Sequence, residues 1–221
     1  HPPEKTQPRE HHTMNQASAF YYPNRMGRVI LESMEEFVGR NGLNAVFNLA
    51  GRSDLIGNYP ALDSKLDFSF ATVSGLLTQL ENAYGPRGGR GLAIRIGRVV
   101  FKYGMREFGS QMGLTETAFR LLPLGAKIRM GGQALADLFN KESDQRVHIE
   151  EQAGKLLWVI ERCPLCWERH TDDVVCHLAV GLLQESLYWL SGGKIFNVEE
   201  TLCIAKGDAT CTIEIDQTPL A

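Results

Sequence analysis

Apolar positions along the chain change their period once. From Met26 to about Asn140 they recur every three or four residues, which predicts helices. Ile30, Met34, Phe37 and Val38 mark a first helix that Gly39 to Gly42 closes, and Leu43–Leu49 forms a short second one. Gly51 to Asp67, with Gly57, Asn58 and Pro60, reads as a loop. Val73, Leu76, Leu77 and Leu80 place a third helix over Phe70–Tyr84. A long helix follows from Leu92 to about Ser110, then Leu114–Leu122 up to Pro123, then Ala126–Phe139. Beyond that the pattern shortens. Gln145–Glu150 and Lys155–Glu161 read as strands joined by a turn at Gln152-Ala153-Gly154. Val174–Leu190 is again helical, with Asp172 and Asp173 at its start and Ser191-Gly192-Gly193 at its stop. Ile195–Ala205 and Cys211–Ile215 read as two closing strands around Lys206-Gly207-Asp208. Helices first and strands last predict an α+β fold, helices packed on a small antiparallel sheet, and not a βαβ array.

Residues 1–20 are set apart from this pattern. His1 to Gln16 is polar, holds three prolines and reads as a disordered tail rather than a signal peptide. Residues 21–221 then form one domain, a length that supports a substantial core. The net charge of −3 gives no reason to expect nucleic acid or an anionic membrane as partner. No apolar run approaches the roughly 20 residues needed to span a bilayer. Five cysteines without an export signal point to a cytoplasmic, reducing setting. There, clustered cysteines mean metal or redox chemistry more often than disulfides.

The chemistry concentrates between Cys163 and Cys211. Cys176 near a helix start, Glu200 and Cys203 on one predicted strand, and Cys211 opening the next can converge on one metal ion. Three thiolates and a carboxylate suit a closed, tetrahedral structural zinc. One difficulty stands against it. Glu200 and Cys203 are three apart, so a regular strand points them to opposite faces, and joint ligation requires a bulge or a strand end between them. Cys163-Pro164-Leu165-Cys166 offers alternative ligands: with Cys203 and Cys211 it would make an all-cysteine knuckle. It can also be read as a redox pair or as two partly buried thiols. His177 is a possible substitute ligand, and His148 reads as a structural histidine on a strand. Tyr84 to Gly91 is a glycine-rich turn matching no phosphate-binding fingerprint. Arg95, Arg98, Lys102 and Arg106 form a basic helix face. No nucleophilic triad or other catalytic set is assigned.

The stretches Val175-Cys176-His177 through Gly181, and Val198-Glu199-Glu200-Thr201-Leu202-Cys203-Ile204-Ala205-Lys206-Gly207-Asp208 with Cys211, resemble the 4-vinyl reductase domain family, also described as hydrocarbon-binding. The resemblance implies an α+β fold related to vesicle-tethering TRAPP subunits and to haem-based nitric-oxide sensors. It also implies that Cys176, Glu200, Cys203 and Cys211 hold a structural zinc beside an apolar pocket. Cys163 and Cys166 have no counterpart in the family's aromatic-sensor members and look closer to its bacteriochlorophyll-linked ones.

The leading expectation is a zinc-braced module, carrier or sensor, for an apolar, aromatic or tetrapyrrole ligand. Phe101, Phe108, Trp158 and Trp189 are the candidate pocket aromatics. A vinyl-reducing enzyme or accessory protein of bacteriochlorophyll synthesis is the second reading, although no dinucleotide fingerprint is present. An adaptor or tethering role is the third. Related domains commonly pair, and the apolar positions of Met26–Leu49 suggest a homodimer.

Overall fold

The computed structural model describes residues 19–114, 119 and 121–220. Among the described residues the strands and α-helices follow in the order β1 (Tyr21–Pro23), α1 (Asn24–Leu49), β2 (Leu66–Ser69), α2 (Phe70–Phe108), α3 (Leu124–Glu142), β3 (Arg146–Gln152), β4 (Lys155–Arg162), α4 (His177–Ser191), β5 (Val198–Leu202) and β6 (Cys211–Asp216). The helix expected over Leu114–Leu122 falls largely outside the described residues.

Both long helices are broken once by a glycine that no other residue replaces without strain. Gly39 interrupts α1 at φ 68°, and Gly85 interrupts α2 at φ 71°. Pro86 then restarts α2, since its fixed φ and missing N–H suit a first helical turn. The glycine-rich stretch is therefore helical from Pro86 onward, and the break is one residue long instead of the turn expected over Tyr84–Gly91. Ser69 caps the start of α2, its hydroxyl accepting from the Thr72 N–H at 3.1 Å.

The main sheet is antiparallel, in the order β3-β4-β6-β5. β3 and β4 are joined by a two-residue turn in which Ala153 and Gly154 both have positive φ, 50° and 79°. This is the primed type that matches strand twist. β4 is buried at every position from Leu156 to Ile160, so both its faces are covered. The small β1–β2 pair is not marked by any alternation of apolar and polar residues that predicts strands there. It is locked to the main sheet where the Tyr21 N–H donates to Asp144 Oδ2 (2.8 Å) and the Tyr22 hydroxyl donates to Gln145 Oε1 (2.6 Å).

One continuous apolar core joins helices and sheet. Of the apolar positions of α1 that suggested pairing of two chains, Met26, Val29, Ile30, Leu31, Met34, Leu43, Val46 and Phe47 are buried in it, while Phe37 and Leu49 remain exposed. No helix among the described residues is long and apolar enough to cross a membrane.

Candidate metal centre and adjoining cavity

Four chain segments deliver six donor groups to one buried point. Cys163 and Cys166 leave the end of β4. The loop after them is pinned by Ser74, whose hydroxyl donates to the Trp167 carbonyl (2.8 Å), by the Arg169–Glu81 ion pair, and by the Thr171 N–H on the Ala205 carbonyl (2.9 Å). Cys176 sits at the N-cap of α4. Cys203 follows β5, and Cys211 opens β6.

The parity difficulty at Glu200 and Cys203 is resolved by a bulge. The β5–β6 register slips between Glu200 and Leu202, and the strand ends before Cys203. Both side chains thereby reach the same side. The turn beyond is shaped by Gly207 at φ 103° and by Asp208, whose carboxylate accepts from the Cys203 N–H at 2.8 Å.

The sulfur atoms are mutually close: Cys163–Cys176 3.5 Å, Cys166–Cys211 3.4 Å, Cys176–Cys211 3.7 Å, and Cys203 3.9 Å from both Cys176 and Cys211. A tetrahedral zinc with sulfur ligands at about 2.3 Å needs sulfur–sulfur separations of about 3.8 Å. Glu200 is 6% exposed. Its Oε2 accepts the Cys176 N–H at 2.7 Å, while its Oε1 is buried without a hydrogen-bond partner. Such an atom costs free energy unless something binds it. The Ile204 N–H points at Cys211 Sγ (3.3 Å), as amides do toward metal-bound thiolates. The donor set therefore fits a thiophilic, tetrahedral cation.

Without an ion the six groups cannot all ionise together. Burial pushes the Glu200 carboxyl up to about 9, and the neighbouring Cys203 charge adds to it. Contacts from Cys163, Cys176, Cys203 and Cys211 pull the Cys166 thiol down. Cys203 is pushed up by Cys166 but pulled further down by Cys176 and Cys211, to about 6. Cys176 is driven up, first by the Cys163 contact. Crowded thiols can share only part of their acidity among themselves; a cation removes that restriction.

Next to this cluster lies an apolar cavity of about 60 Å³. Leu165, between Cys163 and Cys166, and Leu178, two residues after Cys176, belong to its wall. So does Tyr22, whose hydroxyl is driven well above its usual range by burial and then by Cys163 and Cys176. Phe101 and Phe108 line the cavity, together with Met26, Met105 and Met112, which the sequence had not singled out. Trp158 and Trp189 do not. Trp158 is 2% exposed in the sheet and packs edge-on to Phe139. Trp189 is 41% exposed and touches the cavity only through Phe101, ring centroids 6.4 Å apart.

The remaining candidates are placed elsewhere. His177 is buried and faces a separate polar cleft, held down to about 4 by burial and then by Arg90. His148 lies on the exposed sheet face against Glu150 (2.9 Å) and Glu161 (3.3 Å). The basic stripe is engaged within the chain: Arg98 donates to Gln184, Lys102 pairs with Glu185, and Arg106 stacks on Tyr103.

No protein-family model matches the chain, and no curated protein does. Solved structures do resemble it. One, from work probing the function of heme distortion in the H-NOX family, is 13% identical, covers 90% of this chain and 97% of its own, and has a TM-score of 0.55. An H-NOX protein from S. oneidensis in the Fe(II)NO ligation state is 10% identical over 88% of this chain and 99% of its own, with a TM-score of 0.54. A trafficking protein particle complex subunit 3 from Naegleria fowleri, covalently bound to palmitic acid, is 15% identical over 66% of this chain and 91% of its own, with a TM-score of 0.50. The fold is thus the helix-and-antiparallel-sheet architecture shared by H-NOX domains and this trafficking subunit: the hydrophobic pattern predicted helices on a small antiparallel sheet, and the family resemblance implied the relation to these folds.

Proposed function

We propose that the chain is a small-molecule-binding module of the 4-vinyl reductase type, in which a zinc site braces the wall of an apolar cavity. The observation that carries this reading is shared structure: Leu165, Leu178 and Tyr22 border the cavity while standing beside the donor cluster. Cys176, Glu200, Cys203 and Cys211 are the residues that hold zinc, which here supplies structure and no chemistry.

The ligand class follows from the cavity. Its wall is almost wholly apolar, and no histidine or cysteine among the described residues lines it. At about 60 Å³ it is smaller than the roughly 150 Å³ that accommodates benzene. As it stands the cavity is too small for a haem or other tetrapyrrole. A slim chain or a single ring does, once the flexible methionines Met26, Met105 and Met112 move. That one protein of similar fold carries palmitic acid supports an acyl or alkyl ligand. The module acts as a carrier or sensor of such molecules.

The test is a thermal-shift series with the zinc-loaded chain, using fatty acids and alkylbenzenes of graded length. Stabilisation that rises with chain length to an optimum supports the reading. A flat response across the series would leave the cavity as mere packing.

A further inference from the structure

The donor groups outnumber what one zinc can use, and their arrangement is not random. They fall into two sets of four, each mutually within 4.8 Å: Cys163, Cys166, Cys176 and Cys211, and Cys176, Glu200, Cys203 and Cys211. Two residues, Cys176 and Cys211, belong to both sets. Among the described residues no such set mixes the unshared pairs, Cys163/Cys166 and Glu200/Cys203.

We propose that the site holds two divalent ions of the zinc type, bridged by the Cys176 and Cys211 thiolates. This rests on the metal-binding reading above and doubles its stoichiometry. Cys163 and Cys166 complete one tetrahedron, and Cys203 and Glu200 complete the other. Six donors with two shared give each ion four ligands, with none left over. The separation of the shared sulfurs, 3.7 Å, matches the common edge of two thiolate tetrahedra, about 3.8 Å.

Charge does not oppose the second ion. Five thiolates and one carboxylate with two divalent ions leave −2, the same as one ion on Cys176, Glu200, Cys203 and Cys211 with Cys163 and Cys166 as neutral thiols. All six groups are buried, and no lysine or arginine among the described residues pairs with them. An uncompensated buried charge is costly, and ions are the available compensation. The buried Glu200 Oε1 is the ligand atom for the second tetrahedron, since Oε2 is already occupied by the Cys176 N–H.

The rival arrangement keeps one ion in the Glu200 set and leaves Cys163 and Cys166 as thiols hydrogen-bonding to its ligands. Counting ions separates the two. Full-length reduced protein, exchanged into zinc and measured by native mass spectrometry, should carry two ions per chain. Loaded with cadmium-113, it should give two resonances of equal intensity, each split by the other through the shared sulfurs. Cys163→Ser with Cys166→Ser, and separately Glu200→Gln, should each lower the count from two to one. One ion in the unmodified chain, unchanged by the double serine variant, overturns the bridged pair but leaves the single zinc standing. Iron with inorganic sulfide in place of zinc also overturns it. A chain that binds no metal sinks both this inference and the reading beneath it.

Discussion

Gly97 of α2 and Gly181 of α4 each stand where a β-carbon would strike the other helix's backbone. A β-carbon on Gly97 would lie 2.0 Å from the Leu178 carbonyl oxygen, and one on Gly181 would lie 1.9 Å from that of Ile94. Backbone cannot rotate away as a side chain can, so either alanine forces the helices apart. Gly181→Ala is expected to cost about 3 kcal/mol, at the upper end for overpacked cores. For a chain of this length that lowers the melting temperature by roughly 6–12 °C. Gly91→Ala, where an added β-carbon meets nothing within 4 Å, should be neutral or stabilising by up to about 1 kcal/mol. Melting curves of the two variants make the comparison.

Removing the metal should unfold the region around it. Binding free energy at structural zinc sites is part of folding free energy, with apparent values on the order of 10 kcal/mol. Chelator treatment should therefore lower the melting temperature sharply, and Cys203→Ser should abolish both metal content and cooperative melting. Elemental analysis beside calorimetry checks this. Retention of a sharp transition in metal-free protein would contradict it.

The cavity can be enlarged without touching the cluster. Phe101→Ala removes a buried ring from the wall, and large-to-small changes of this kind cost about 3–5 kcal/mol. Ligands too bulky for the unaltered chain should restore much of that loss, and metal content should stay the same. Because Trp189 packs on Phe101, its emission should change with the mutation and, in the unaltered chain, on ligand binding. Saturating ligand at a hundredfold excess over its dissociation constant adds about 2.7 kcal/mol of stability.

A pH-dependent contact lies far from the metal. The Tyr59 hydroxyl donates to Glu35 Oε2 at 2.6 Å and holds that carboxyl below its ordinary range. A depressed carboxyl contributes stability above its ordinary value near 4.5, and loses that contribution as pH falls through the lower folded value. Tyr59 is shifted upward, first by burial and then by Glu35, so its contribution is complete below 10 and fades as pH rises through the folded value. Tyr59→Phe should leave stability flatter at both acidic and alkaline extremes. Denaturant midpoints across pH, compared with the unaltered chain, measure the effect.

Much of the fold could be read from the sequence because local chemistry and tertiary structure agreed. The Ala153-Gly154 hairpin and α4 with its glycine stop follow from turn residues and hydrophobic period. The grouping of Cys176, Glu200, Cys203 and Cys211 is one of the sets that their placement leaves open, and the family resemblance singles it out. Other features were decided by contacts that periodicity does not encode. The stretch after Gly85 carries so many glycines that it reads as a turn, yet it is helical from Pro86 onward, and position 89 needs glycine because Glu81 Cα passes 2.7 Å from where a β-carbon would be. The bulge at Thr201 had to be required by the proposed ligands before it could be seen. Cys163 and Cys166 read as rivals of Glu200 and Cys176, because spacing along the chain says nothing about a loop folding back to within 3.5 Å. Nothing in the spacing of Met26, Met105 and Met112 separates a cavity wall from core packing.

The four segments that meet at the cluster lie far apart along the chain, from the end of β4 to the start of β6. Metal bound there ties loops whose closure otherwise costs conformational entropy. A single covalent link around a 15-residue loop is worth about 3 kcal/mol by that route, and the gain grows only slowly with loop length. Several loops closed at one point therefore act on the unfolded chain as a set of crosslinks does, narrowing the states it can visit. Disulfides achieve this only where sulfur stays oxidised. A thiolate cage achieves it with every sulfur reduced, and releases the chain again when the ion leaves.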